Sequence, residues 1–256
     1  MKLLAFETAT EACSVALWVD GEVRERFELA PRRHAELSLP WAEQLLAEAG
    51  IARSQLDAIA VGRGPGAFTG VRLAIAIGQG IALALDRPIV PVSTLAALAM
   101  RAVGPRLPLA HQVDFLRGAD EARLTHATRH VLAAIDARMN EVYVGRFALR
   151  DGGCIALGDE AIVAPDAVAP LDEGYDWFGV GTGFTALGGR LRQQLRDRLV
   201  AVDADALPHA ADVARLAASA FARGEAIAPD SVEPAYLRNN VALTVVEQQA
   251  LRDSRP

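Results

Sequence analysis

An α/β protein of two similar lobes with a cleft between them is predicted by three features of this chain. Its first hundred residues run strand–strand–strand–helix–strand–helix–strand–helix, a mixed sheet with helices packed on it. The order begins again near residue 130. Between the two copies lies GPRLPLAHQVDFLRGADEARLTHATR, with two prolines, two glycines and mixed charge, which neither copy needs.

Each element has its signal. KLLAFETA is an apolar strand, and CSVALWV turns at Asp20-Gly21 and returns as the alternating EVRERFEL. A helix is predicted from His34 to Ala49, with Leu37, Trp41 and Leu45 on one face and Gly50 as its stop. LDAIAVG is a short buried strand, followed by the loop GRGPGAFTG and a helix over Val71 to Leu85. PIVPVS is the next strand and TLAALAMRA the next helix. In the second copy, HVLAAIDARMNEVYVGRFALRDGGCIAL is a meander turning at Asp151-Gly152-Gly153, and YDWFGVGTG is a buried strand. FTALGGRLRQQLRDRL and HAADVARLAASAFARGE are helices, the latter ending at Gly224. The boundaries are a first lobe over 1–103, a linker or insertion over 104–130, and a second lobe over 131–256 whose last segment can pack back on the first. This is the two-lobed actin and sugar-kinase (ASKHA) arrangement, a ribonuclease H-like unit repeated.

The totals narrow the function. The chain has 256 residues, 52% hydrophobic and 23% charged, which suits a folded globular protein. A formal net charge of −6 argues against a freestanding nucleic-acid binder, so any contact with RNA is expected to be indirect. Two cysteines, Cys13 and Cys154, make neither a disulfide framework nor a four-thiolate zinc site. The opening apolar run is too short for a signal peptide. The longest apolar stretch, Val71 to Leu85, is interrupted by Arg72, Gln79 and two glycines, so a cytoplasmic location without membrane attachment is expected.

The loop GRGPGAFTG stands between a strand and a helix, where backbone N–H groups favour an anion, and Gly64, Gly66 and Thr69 are the candidate nucleotide or anion contacts. It lacks the lysine of a P-loop, and a tight turn that needs glycine conformations explains it equally well. Glu7 and Asp136 end equivalent first strands, where paired carboxylates could hold magnesium or a nucleophilic water; acids at strand ends are also common. Cys13 has no histidine placed to activate it, and reads as a small buried residue. His126 and His130, four apart, could share a helix face as metal ligands, but no glutamate accompanies them and solvated histidines fit the pattern better. His34 and His209 sit at predicted helix starts, where capping suffices.

The helix Val71–Leu85 is apolar on nearly every face and must be covered on nearly every face. Ala74, Gly78 and Ala82 form a stripe of small residues that would admit a partner helix; a helix enclosed within its own lobe is the alternative. No catalytic residues stand out in the cleft.

FETATEACSVAL, RRHAELSLP, GRGPGAFTGVRLAIAIGQGIAL, AAIDARMNEVY and EPAYLRNNVA together resemble the TsaB (YeaZ) family of bacterial tRNA threonylcarbamoyladenosine synthesis, from residue 1 to about 242. The resemblance implies the ASKHA fold and a non-catalytic partner of the transferase TsaD, joined by the ATPase TsaE. It implies an interface through Arg72, Leu73, Ala74, Ile77, Gly78, Ile81 and Ala82, facing either TsaD or a second copy. No cofactor is expected on this chain, with ATP and metal expected on the partner subunits. TsaD's metal-binding helix corresponds to PVSTLAALA, where Thr94 and Leu98 replace the two histidines and Ala96 the glutamate. Three departures stand out: Glu7 in place of the usual aspartate, Asn239-Asn240 after YLR, and the long linker with His111, His126 and His130. Beside the scaffold reading stand an active ASKHA ATPase or small-molecule kinase, and a metallopeptidase, which the missing histidines oppose.

Overall fold

The computed structural model describes residues 1–102 and 128–238. The linker, with His111 and His126, lies almost wholly outside them, as do Asn239 and Asn240. The first sheet contains β1 (Lys2–Glu7), β2 (Ala12–Val19), β3 (Glu22–Leu29), β4 (Ala58–Gly62) and β5 (Ile89–Val92), in the order β3-β2-β1-β4-β5. The first three strands form the antiparallel meander, and β1, β4 and β5 run parallel. The second sheet contains β6 (Arg129–Arg138), β7 (Glu141–Arg150), β8 (Gly153–Ala156), β9 (Ala161–Val163), β10 (Trp177–Val180) and β11 (Leu199–Asp203). Its order is β11-β10-β6-β7-β8, with β9 beside β8 on β7. With β9 set aside, both sheets read third, second, first, fourth, fifth within their lobes: the repeat is one of topology.

Side-chain alternation along β1 decides which helices cover which face. Leu4 and Phe6 point to the face covered by α1 (His34–Ala49) and α2 (Phe68–Leu85), where they meet Leu45, Ile59, Val61 and Ile75. Leu3 and Ala5 point to the opposite face, covered by α5 (Ala210–Ala222) through Ala210, Val213, Ala214 and Ala217. The last helix among the described residues therefore completes the first sheet. Between the sheets lies α3 (Thr94–Ala99), with Leu95 and Leu98 against Val131, Ala133, Phe147 and Val180. The outer face of the second sheet packs on α4 (Ala186–Leu195) through Trp177, Phe184, Leu191 and Leu195.

Helix α1 begins at His34 and ends at Gly50, whose φ of 65° supplies the left-handed stop. Helix α4 is shorter than predicted because Leu187, Gly188 and Gly189 are left-handed and break its start. The predicted orientation of α2 needs correction. Ala74, Gly78 and Ala82 are buried against the helix's own sheet, and a Cβ on Gly78 would lie 2.4 Å from Val61 Cγ1. The small residues serve close helix–sheet packing, not a partner. The helix is long and apolar enough to cross a membrane by length and composition, but this buried stripe makes it a core element. Its outward line is Arg72, Ala76, Gly80 and Leu83, with Leu73, Ile77 and Ile81 half-buried at the margins.

Candidate functional site

A cleft of about 960 Å³ opens between the lobes. One wall is formed by Ala9–Glu11, His34 and the Gly66–Phe68 loop, the other by Ile135–Met139 and Thr182–Ala186. The segment Ala235–Arg238 lies across it.

At the floor of the first lobe, the GRGPG loop closes on a compact polar knot. Glu7, 1% exposed, accepts the Ala9 N–H at 2.7 Å, and its other oxygen accepts the Thr94 hydroxyl at 3.0 Å. Thr94 Oγ1 also accepts the Gly64 N–H at 3.2 Å, and Thr94 N–H donates to the Gly64 carbonyl at 2.9 Å. The glycines are needed because other groups come so close. A Cβ on Gly62 would stand 2.0 Å from Glu7 Oε2, one on Gly66 2.5 Å from the Ala9 carbonyl, and one on Gly70 1.9 Å from the Thr8 carbonyl. The Ala67 N–H donates to Ala9 O at 2.7 Å. Two amides of the loop, at Gly64 and Ala67, thus bind the protein itself, while Thr69 stays exposed. Burial pushes the Glu7 carboxyl up to about 7, against hydrogen bonds from Ala9, Thr94 and Thr8 that lower it.

Asp136 belongs to the other wall and is held differently. Its carboxylate accepts the Arg138 N–H at 2.8 Å and pairs with the Arg138 guanidinium at 2.9 Å. One acid is locked under a loop and the other tied within its own turn, so neither is presented as a free carboxylate.

The remaining sequence candidates are accounted for. Cys13 is buried beside Ser38, and its thiol is pushed up by desolvation; burial pushes Cys154 up to about 12. His130 packs on Tyr175 with centroids 4.1 Å apart, and burial lowers its pKa, so it is a packing residue. His34 Nε2 bonds the Thr10 carbonyl at 3.0 Å. His209 stacks on Phe27 at 4.0 Å and bonds Glu25 at 2.9 Å. Glu25 also accepts the Ala211 N–H, and Ser14 the Ala210 N–H, both at 2.9 Å, so side chains of the first sheet cap α5. Burial raises the Glu25 pKa, but His209, Ala211 and Ser14 together bring it below the usual carboxylate range. No cluster of three or more potential metal-ligating His, Cys, Asp or Glu occurs among the described residues.

At the edge of the cleft, the start of α2 carries a stack absent from the sequence expectation. The Arg72 guanidinium lies 3.4 Å from the Phe68 ring centroid and 5.1 Å from that of Tyr236. Phe68 is 61% and Tyr236 51% exposed, so this patch extends the outward line of α2. Two aromatic residues 168 positions apart carry no periodic signal that would pair them.

Two ribonuclease H-like sheets with matching strand order, joined across a cleft, define a two-lobed protein of the actin and sugar-kinase class. A family model described as TsaD, tRNA N6-adenosine threonylcarbamoyltransferase, matches residues 28–245. TsaB, the tRNA threonylcarbamoyladenosine biosynthesis protein of Escherichia coli K12, is 43% identical over 94% of this chain and 96% of its own length. Its Haemophilus influenzae counterpart is 35% identical over 94% and 95%. The solved YeaZ structure from Pseudomonas aeruginosa superposes with a TM-score of 0.77 at 45% identity, covering 92% of this chain and 99% of that one. The chain belongs to the TsaB (YeaZ) family.

Proposed function

We propose that this protein is a non-catalytic subunit in the formation of N6-threonylcarbamoyladenosine in tRNA, acting as partner and scaffold of a TsaD-type transferase. The observation that carries this reading is the fate of the three positions that the resemblance sets against the transferase's metal-binding helix. Thr94 is bonded to Glu7 and Gly64, Leu98 is buried in the core between the sheets, and Ala96 has no ligating atom. ATP and metal then belong to the partner subunits, TsaD and a TsaE-type ATPase, in the cytoplasm, with tRNA met through the complex. The outward line of α2, with Arg72 on it and Leu73, Ile77 and Ile81 at its margins, serves TsaD or a second copy of this chain.

Light scattering on this protein, alone and mixed with the TsaD-type protein of the same cell, tests the reading. Leu83→Glu is the suitable interface variant because Leu83 is 65% exposed, whereas Ile77 and Ile81 also pack on the core. A complex lost in Leu83→Glu while the variant keeps its melting temperature is the expected result. Failure of the wild-type chains to associate, or ATP hydrolysis by this chain alone, would instead favour an active ASKHA ATPase or kinase.

A further inference from the structure

Two-lobed proteins commonly close about a ligand in the cleft, with the ligand bridging the walls. Here a piece of the chain bridges them. From Ala226 onward the backbone follows the first lobe: Ile227 and Ile89 exchange backbone hydrogen bonds at 2.8 and 2.9 Å. Gln79 Nε2 donates to the Pro229 carbonyl at 2.7 Å, and Val232 is buried in the first lobe's core. The Ala235 N–H then donates to the Arg63 carbonyl at 2.8 Å, directly over the GRGPG loop, and a Cβ on Gly64 would lie 3.7 Å from Ala235 O. Tyr236 joins Phe68 and Arg72 on α2.

Two residues later the attachment changes lobes. Arg238 donates to the Ala137 carbonyl at 3.1 Å and the Arg138 carbonyl at 3.5 Å, pairs with Glu141 at 2.8 Å and touches Met139 Sδ. These contacts surround the β6–β7 turn, where Arg138, Met139 and Asn140 have φ of 61°, 53° and 65°. Successive left-handed residues are costly for side chains bearing a Cβ, and the Arg238 contacts add to the hairpin's own pairing of Arg138 with Glu141. The Arg238 side chain is 16% exposed, which suits a structural tie better than a surface charge. Helix α3, which packs between the sheets, does not line the cleft.

We infer that Ala235–Arg238 is a built-in brace that spans the cleft as a bound ligand would, fixing the separation of the lobes and coupling the β6–β7 turn to the GRGPG loop. The brace is anchored on the first lobe by backbone bonds and the Tyr236 stack, and on the second by one guanidinium. Arg238 is therefore where it can be released with least damage to either lobe.

Amide hydrogen exchange on the full-length chain tests this with Arg238→Ala. The expected result is exchange at least tenfold faster at both residues 138–140 and residues 63–67, with β1, β4 and residues 129–137 of β6 unchanged. Tyr236→Ala, which loosens the other end, is expected to give the same paired response. Arg238→Lys, keeping the charge but not the fork of donors, is expected to fall between. Faster exchange confined to 138–140 in Arg238→Ala would overturn the proposal, since Arg238 would then support only its own turn. Should Arg238→Ala fail to fold, the lysine variant and Tyr236→Ala decide by the same two segments.

Discussion

The Thr94 hydroxyl donates to the buried Glu7 carboxylate across 3.0 Å while accepting the Gly64 N–H, so one side chain joins the end of β1, the loop before α2 and the start of α3. The resemblance to the family sets Glu7 in place of an aspartate and Thr94 in place of a metal histidine of TsaD, and the structure joins the two in one unit. Threonine supplies both a donor and an acceptor at a place where a metal ligand would need a nitrogen. Glutamate reaches far enough to sit beneath Gly62.

Burial of Glu7 predicts an unusual pH profile. Its folded pKa of about 7 lies above the ordinary 4.5, so the folded state holds the proton where the unfolded state has released it. Stability should therefore fall as pH rises from about 4.5 to 7 and level off above. The cost is bounded near 3 kcal/mol by roughly 1.4 kcal/mol per pKa unit. Glu7→Gln should flatten this slope in urea unfolding between pH 4.5 and 8. A variant with the wild-type slope would assign it to other groups.

Thr94→Val keeps the shape and removes both hydrogen bonds. Leaving Glu7 and the Gly64 N–H without this partner should cost roughly 1–3 kcal/mol for each buried group. Thr94→Ser should recover most of the loss. Chemical denaturation midpoints distinguish the two variants.

Gly78 and Gly80, two residues apart on α2, should respond oppositely to alanine. At Gly78 the new Cβ meets Val61 at 2.4 Å, and the helix must move away from the sheet. Overpacking of this kind costs roughly 1–3 kcal/mol. At Gly80 nothing lies within 4 Å, so the gain in helix propensity of up to about 1 kcal/mol should appear as a higher melting temperature. Equal responses would mean that α2 does not sit on β4 as described.

Glu25→Gln tests the cap on α5. The depressed Glu25 pKa means that the carboxylate stabilises the fold above the ordinary carboxylate range, an effect lost as pH falls through the folded pKa. The variant should be less stable by roughly 1–3 kcal/mol at pH 7, the worth of hydrogen bonds to a charged group. The difference should vanish in acid. Parallel wild-type and variant melts from pH 7 to pH 3 make the comparison.

Legibility in the sequence followed the range of the interaction. Helix α1 was readable because its period and its Gly50 stop are local, and the Asp20-Gly21 turn fixed the first hairpin. The strands β9 and β11 escaped because three and five residues at the margin of a sheet leave little periodic trace. The stripe on α2 is legible as small residues, but its direction, toward a partner or into its own lobe, is not. Small residues fit close packing on a sheet as well as on a helix, and the sequence does not say on which side the sheet lies. The Glu7 knot, the Glu25 cap and the Tyr236 stack join residues 87, 186 and 164 positions apart, and such pairings come only from the folded topology.

The return of α5 to the first sheet bears on how the protein is made. The face carrying Leu3, Ala5, Ala16, Ala58, Ala60 and Val90 has its cover only when residues 210–222 have left the ribosome. At roughly 5–20 residues per second, the N-terminal half waits several seconds or more with an apolar sheet face open to whatever is nearby. Nascent chains stalled before residue 210 should accordingly be held by chaperones, and the first lobe becomes a finished object only after the second sheet has been made.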